Sequence, residues 1–142
     1  MTYQARDIAE YIIYREASQG RTVSNLRLQK LLYFVQAQFI VQKDAPCFTE
    51  RMEAWDFGPV VPEVYRTYKF YGSNAIPYSK TNFNINKTDM MLIDIMLDHC
   101  GQYSTSTLVD MTHAQTPWKS AYQNPLDNEI TLSSMFHYFR EA

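Results

Sequence analysis

From Leu28 to Gln42 the chain is apolar in too many directions for a surface helix. On a helical wheel Leu28, Leu32, Val35 and Phe39 form one stripe, with Leu31 beside it. Tyr33, Phe34, Ile40 and Val41 cover much of the remaining circumference. Polar positions are few: Gln29 and Gln36 share a line, while Lys30, Gln38 and Gln42 point elsewhere. A helix of this kind is buried among others. The pattern therefore predicts a mainly α protein, a compact single-domain helical bundle over residues 1–142 around a central buried helix at about 28–42. That helix is too short and too interrupted by amides to span a bilayer.

The flanking pattern fills in the bundle. Ala5, Ile8, Ala9, Ile12 and Ile13 recur at helical spacing, so a first helix runs from about Tyr3 to Ser18 and stops at Gly20. Ser24 is placed to cap the central helix, with Val23 and Leu28 as a hydrophobic staple. Asp44-Ala45-Pro46 breaks that helix. Residues 48–57 then read as a short extended or β segment, and Gly58-Pro59 as a turn. Pro62 suits the first position of a helix that ends at Gly72, with Val61, Val64, Tyr68 and Tyr71 inward, Tyr65 at the flank and Phe70 exposed. Residues 73–87 read as a loop, with at most one short strand around Phe83 and Ile85 pairing with the Trp55 segment. Thr88, Ser104, Pro117 and Thr131 open the remaining helices.

Composition narrows the classes. Hydrophobic residues make up 46% of the chain and charged residues 20%, a globular balance. A net charge of -2 gives no electrostatic reason for sequence-blind nucleic-acid binding. The charge is unevenly placed: residues 1–88 hold 11 Lys/Arg against 8 Asp/Glu, and residues 89–142 hold 2 against 7. Either a partner presenting both signs or a merely solvated surface fits that polarity. The opening MTYQARDIAEY lacks the apolar core of a secretory signal, and Cys47 and Cys100 make no disulfide framework. Both points lead to the expectation of free thiols in the cytoplasm.

Candidate chemistry is sparse. His99, His113 and His137 lie far apart, so no metal site is expected. Asp110 and His113 share a helical face and form a conceivable acid–base pair. No nucleophile elbow or phosphate loop accompanies them, and a His there also fits against Trp118 near a helix end. Tyr65-Arg66-Thr67-Tyr68-Lys69-Phe70-Tyr71 interleaves aromatics with cations, as base-stacking grooves do. Helical phase instead sends Tyr68 and Tyr71 inward and leaves Arg66, Lys69 and Phe70 for protein contact. In Trp55-Asp56-Phe57-Gly58-Pro59-Val60-Val61-Pro62, three restricted residues fix the backbone between large apolar side chains. The stretch is either a structural corner or a rigid platform for a partner, with Phe57 or Val60 exposed.

Leu28-Gln29-Lys30-Leu31-Leu32-Tyr33-Phe34 resembles the opening signature of the SocA-like antitoxin family, the Panacea domain, which includes phage-associated GepA-type proteins. Ala54-Trp55 followed by Gly58-Pro59-Val60-Val61-Pro62-Glu63-Val64-Tyr65 resembles the family's central block. Leu108, Thr112-His113 and Pro117-Trp118 resemble its late element. The position before Gly58, often Tyr in that family, is Phe57 here. The resemblance implies a mostly helical, non-enzymatic domain that neutralises a cognate protein toxin by direct contact, and no cofactor is expected. One branch of the family instead delivers its toxin to an ATP-dependent protease. The residues expected to meet the partner are Trp55, Phe57, Pro59, Val60, Tyr65, Arg66, Lys69 and Phe70, with neither membrane nor nucleic acid as partner.

Overall fold

The computed structural model describes residues 2–141. Its first two helices form the expected hairpin. α1 (Ala5–Ser18) runs to the turn at Gly20, and α2 (Asn25–Lys43) follows. Ser24 caps α2 by accepting from the Arg27 amide at 3.2 Å, and Val23 and Leu28 are both buried beside it. The helix ends at Asp44, which takes the left-handed conformation with φ 55°.

Every residue of α2 from Leu28 to Ala37 is buried. A helix with no solvent side over nearly three turns must be walled in by others, and this one is. It packs against α1, α3 (Pro62–Tyr68), α4 (Lys87–Cys100), α5 (Thr105–His113) and α7 (Leu132–Glu141). α6 (Thr116–Gln123) closes the bundle against α5 and α7. No described helix is long and apolar enough to cross a membrane.

A small antiparallel sheet sits at one end. β1 (Met52–Trp55) is its centre, flanked by β2 (Gly58–Val60) and β3 (Glu129–Ile130). Trp55 opposes Gly58 and Glu53 opposes Val60, so the tight turn lies at Asp56-Phe57. Gly58-Pro59 therefore opens a strand and is not itself the turn. The left-handed residue that lets the chain reverse is Gly58, φ 105°.

Three other expectations are corrected. β1 pairs with β2 and β3, not with residues around Phe83 and Ile85. Those two alternate because Phe83 packs edge-on against Tyr11 of α1 at 5.3 Å, and Ile85 enters the core. The cap of α4 is Asn86, whose side chain accepts from the Asp89 amide at 2.8 Å, leaving Thr88 inside the helix. The charge polarity is largely used within the molecule. Arg15 and Arg21 pair with Asp98, Lys43 with Asp89, and Arg51 with Asp127 and Glu129.

Candidate docking corner at the hairpin

An apolar helix buried on all sides must find partners for every polar group it carries. In α2 those partners are mostly backbone groups of the hairpin and of the segments before and after it. Gln36 accepts from the Cys47 amide at 2.7 Å and donates to the Phe48 carbonyl at 2.7 Å. One heptad earlier, Gln29 accepts from the Val61 amide at 2.9 Å and donates to Asn25, which in turn donates to the Tyr65 carbonyl at 3.0 Å. Lys30, 0% exposed, donates to the Pro59 carbonyl. Burial pushes its ammonium down to about 7. Gly58 passes so close that a β-carbon there would lie 2.8 Å from Lys30 Nζ and 2.9 Å from Thr112 Oγ1.

The other side of the hairpin is held from α5 and α6. Trp118 donates its indole N–H to the Trp55 carbonyl at 2.9 Å. His113 Nε2 lies 3.0 Å from the Asp56 carbonyl, which only accepts, so that nitrogen carries the hydrogen. Tyr122 donates to the Asp56 carboxylate, and this bond raises the phenol's pKa. The three rings form a stack, His113 to Trp118 at 4.1 Å and Trp118 to Tyr122 at 4.5 Å. Asp110 is exposed, and His113 is bonded to the hairpin and not to it. The helix-end histidine lying against Trp118 is thus what the fold contains. Among the described residues, no group of three or more His, Cys, Asp or Glu is placed to hold a metal ion.

Beside the hairpin opens a groove of about 710 Å³. Its floor is Ala54 and Val60, its wall the edge-on pair Trp55 and Tyr65 with centroids 4.9 Å apart, and its rim Leu26, Phe57 and Lys69. Phe57 is 67% exposed.

Of the residues expected to meet a partner, Trp55, Phe57, Val60, Tyr65 and Lys69 come together at this groove. Val60 is a correction, because it is only 4% exposed and contributes floor, not a protruding contact. Pro59 is likewise buried, with its carbonyl taken by Lys30. Both turn inward because β2 is sandwiched between β1 and α2, so every one of its residues is covered. Arg66 is exposed on α3, and Phe70, 93% exposed, stands on the 3-10 turn Lys69–Tyr71. Neither lines the groove.

Sequence reasoning missed Lys30, Asn25, Gln29 and Tyr122 as groups that hold the corner. One available signal was that a helix with no solvent face has nowhere to send its polar residues except into bonds with other segments.

The three sequence blocks at 28–34, 54–65 and 108–118 thus meet around one hairpin, and comparison with known proteins follows the same blocks. The family model described as "Antitoxin SocA-like, Panacea domain" matches residues 28–119. Antitoxin SocA of Caulobacter vibrioides (strain NA1000 / CB15N) is 32% identical over 137 residues, covering 87% of this chain and 73% of the relative. No solved structure matches. Because the family match takes in both the buried helix and the corner packed on it, the chain belongs to the SocA-like antitoxin, Panacea domain family.

Proposed function

We propose that this protein is an antitoxin that neutralises a cognate protein toxin in the cytoplasm by direct binding, with the hairpin corner and its groove as the contact. Membership of the family and the similarity to Antitoxin SocA support the role. The observation that carries the contact is Phe57, a large aromatic held in solvent on a turn whose backbone is bonded from three helices. A side chain presented on a fixed backbone loses little conformational freedom on binding, and aromatic anchors dominate interface energies. Trp55, Tyr65 and Lys69 surround it, and Arg66 and Phe70 extend the surface. No catalytic step is part of this reading.

Co-expression with the product of the neighbouring gene tests it. The wild-type chain restores growth and co-purifies with that product. Phe57→Ser, expected to keep the fold because the ring is mostly exposed, weakens the complex by roughly tenfold or more. Absence of any complex or rescue with the wild-type chain overturns the reading. A fall in toxin level that depends on an ATP-dependent protease would replace neutralisation by delivery to degradation.

A further inference from the structure

We infer that the groove beside the hairpin takes a short polypeptide segment of the toxin in which a large apolar side chain sits close to a carboxylate, with Lys69 as the opposing charge. The inference rests on the antitoxin reading and gives its contact a chemistry.

The polar atoms around the groove decide what it can recognise. Gln29 and Asn25 are consumed by the Val61 amide, by each other and by the Tyr65 carbonyl. The Asp56 carboxylate holds the Tyr122 hydroxyl, and Asn128 donates toward the Ala54 carbonyl. These groups are engaged within the fold and offer an incoming ligand little that is free. What remains is an apolar floor and wall, the Tyr65 and Ser73 hydroxyls, and Lys69, the one cation of the lining, with Asp56 as its one anion. Lys69 has no ion pair among the described residues, whereas Arg15, Arg21, Lys43 and Arg51 are all paired. Arg66, three residues earlier, is exposed and also unpaired among the described residues. At Lys69 an incoming carboxylate therefore meets positive charge next to an apolar socket, while the Asp56 carboxylate of the lining is occupied by the Tyr122 hydroxyl. The volume, about 710 Å³, suits a few side chains and not a whole domain face.

The test uses a phage-displayed library of random short peptides, panned on the purified full chain. The recovered peptides are expected to place Asp or Glu beside Phe, Leu or Trp. Lys69→Glu should weaken them roughly tenfold, and Lys69→Met by a few fold. Added salt should weaken binding to wild type more than to Lys69→Met. Phe57→Ser and Leu26→Ser should both reduce affinity. Recovery of no peptide, recovery of basic or uncharged peptides, or indifference to Lys69→Glu overturns the inference. So does a wild-type dimer in sedimentation that Phe57→Ser dissociates, since the groove would then be covered by a second copy. Growth rescue separates the two claims. Rescue that needs Phe57 but ignores Lys69→Glu keeps the antitoxin and discards the acidic segment. Acidic peptides bound without rescue from any toxin do the reverse.

Discussion

At Gly58 only a hydrogen separates the hairpin from the buried groups beneath it. Its φ of 105° already disfavours a side chain, and a β-carbon would press on Lys30 Nζ at 2.8 Å. Gly58→Ala is expected to destabilise the fold by about 2–4 kcal/mol, read as a lower urea midpoint. Lys30 itself makes stability depend on pH. In the unfolded chain it keeps its proton to near 10.5, whereas in the fold burial lets it go at about 7. Between those values the unfolded state binds more protons, so stability rises with pH. Below 7 both states are protonated and the cost of burial is constant. The rise ends near 9, where unfolded thiols ionise while burial holds the Cys47 and Cys100 protons in place. Urea unfolding from pH 7 to 8.5 should show wild type gaining up to about 1.4 kcal/mol per pH unit, a gain missing from Lys30→Met. An equal slope in the variant would show that Lys30 is charged in the fold. At this scale the sequence revealed Phe57 as a candidate anchor but not Lys30, which as a lone cation in an apolar run looks like a surface residue.

For the helices, the line joining Gln29 and Gln36 turns α2 from a greasy rod into a template for backbone. Gln36→Leu leaves the Cys47 and Phe48 amides and the Phe48 carbonyl without their partner in the core. At about 1–3 kcal/mol for each buried orphan, it should cost roughly 3 kcal/mol or more, against roughly 2 kcal/mol or more for Gln29→Leu, which strands the Val61 amide and the Asn25 Oδ1. Thermal and urea unfolding of the two variants give that order directly. Helix starts marked by local chemistry were legible: Ser24, Ser104 and Pro62 stand where capping and ring geometry put them. The start at Asn86 was not, because Asn86 and Thr88 are both competent caps two residues apart, and only the reach of the Asn86 side chain to the Asp89 amide chose between them. β3 was invisible for another reason. A strand of two residues carries no period, and its existence depends wholly on Met52 and Glu53 lying opposite.

Taken whole, the molecule stitches its candidate contact to its centre. The hairpin carbonyls are bonded from α2, α5 and α6, so the corner should open only when the core does. In native-state hydrogen exchange, the Val61 amide, buried and bonded to Gln29, should exchange as slowly as the amides of α2. Amides of residues 78–82, outside regular structure, should exchange far faster. A fast Val61 would mean that the hairpin lifts off independently, and the rigid-platform argument would lose its basis. The amino-acid order by itself determined the helical class, the central helix, most element ends and the three blocks that mark the family, since periodicity, caps and proline geometry act within a few residues. Only tertiary structure decided that the blocks meet at one corner, that Pro59 and Val60 turn in while Phe57 turns out, and that Lys69 is left unpaired beside an apolar groove. Which face of a hairpin is covered, and which charges find partners, depends on segments 30 to 80 residues away, and local sequence carries no record of that distance.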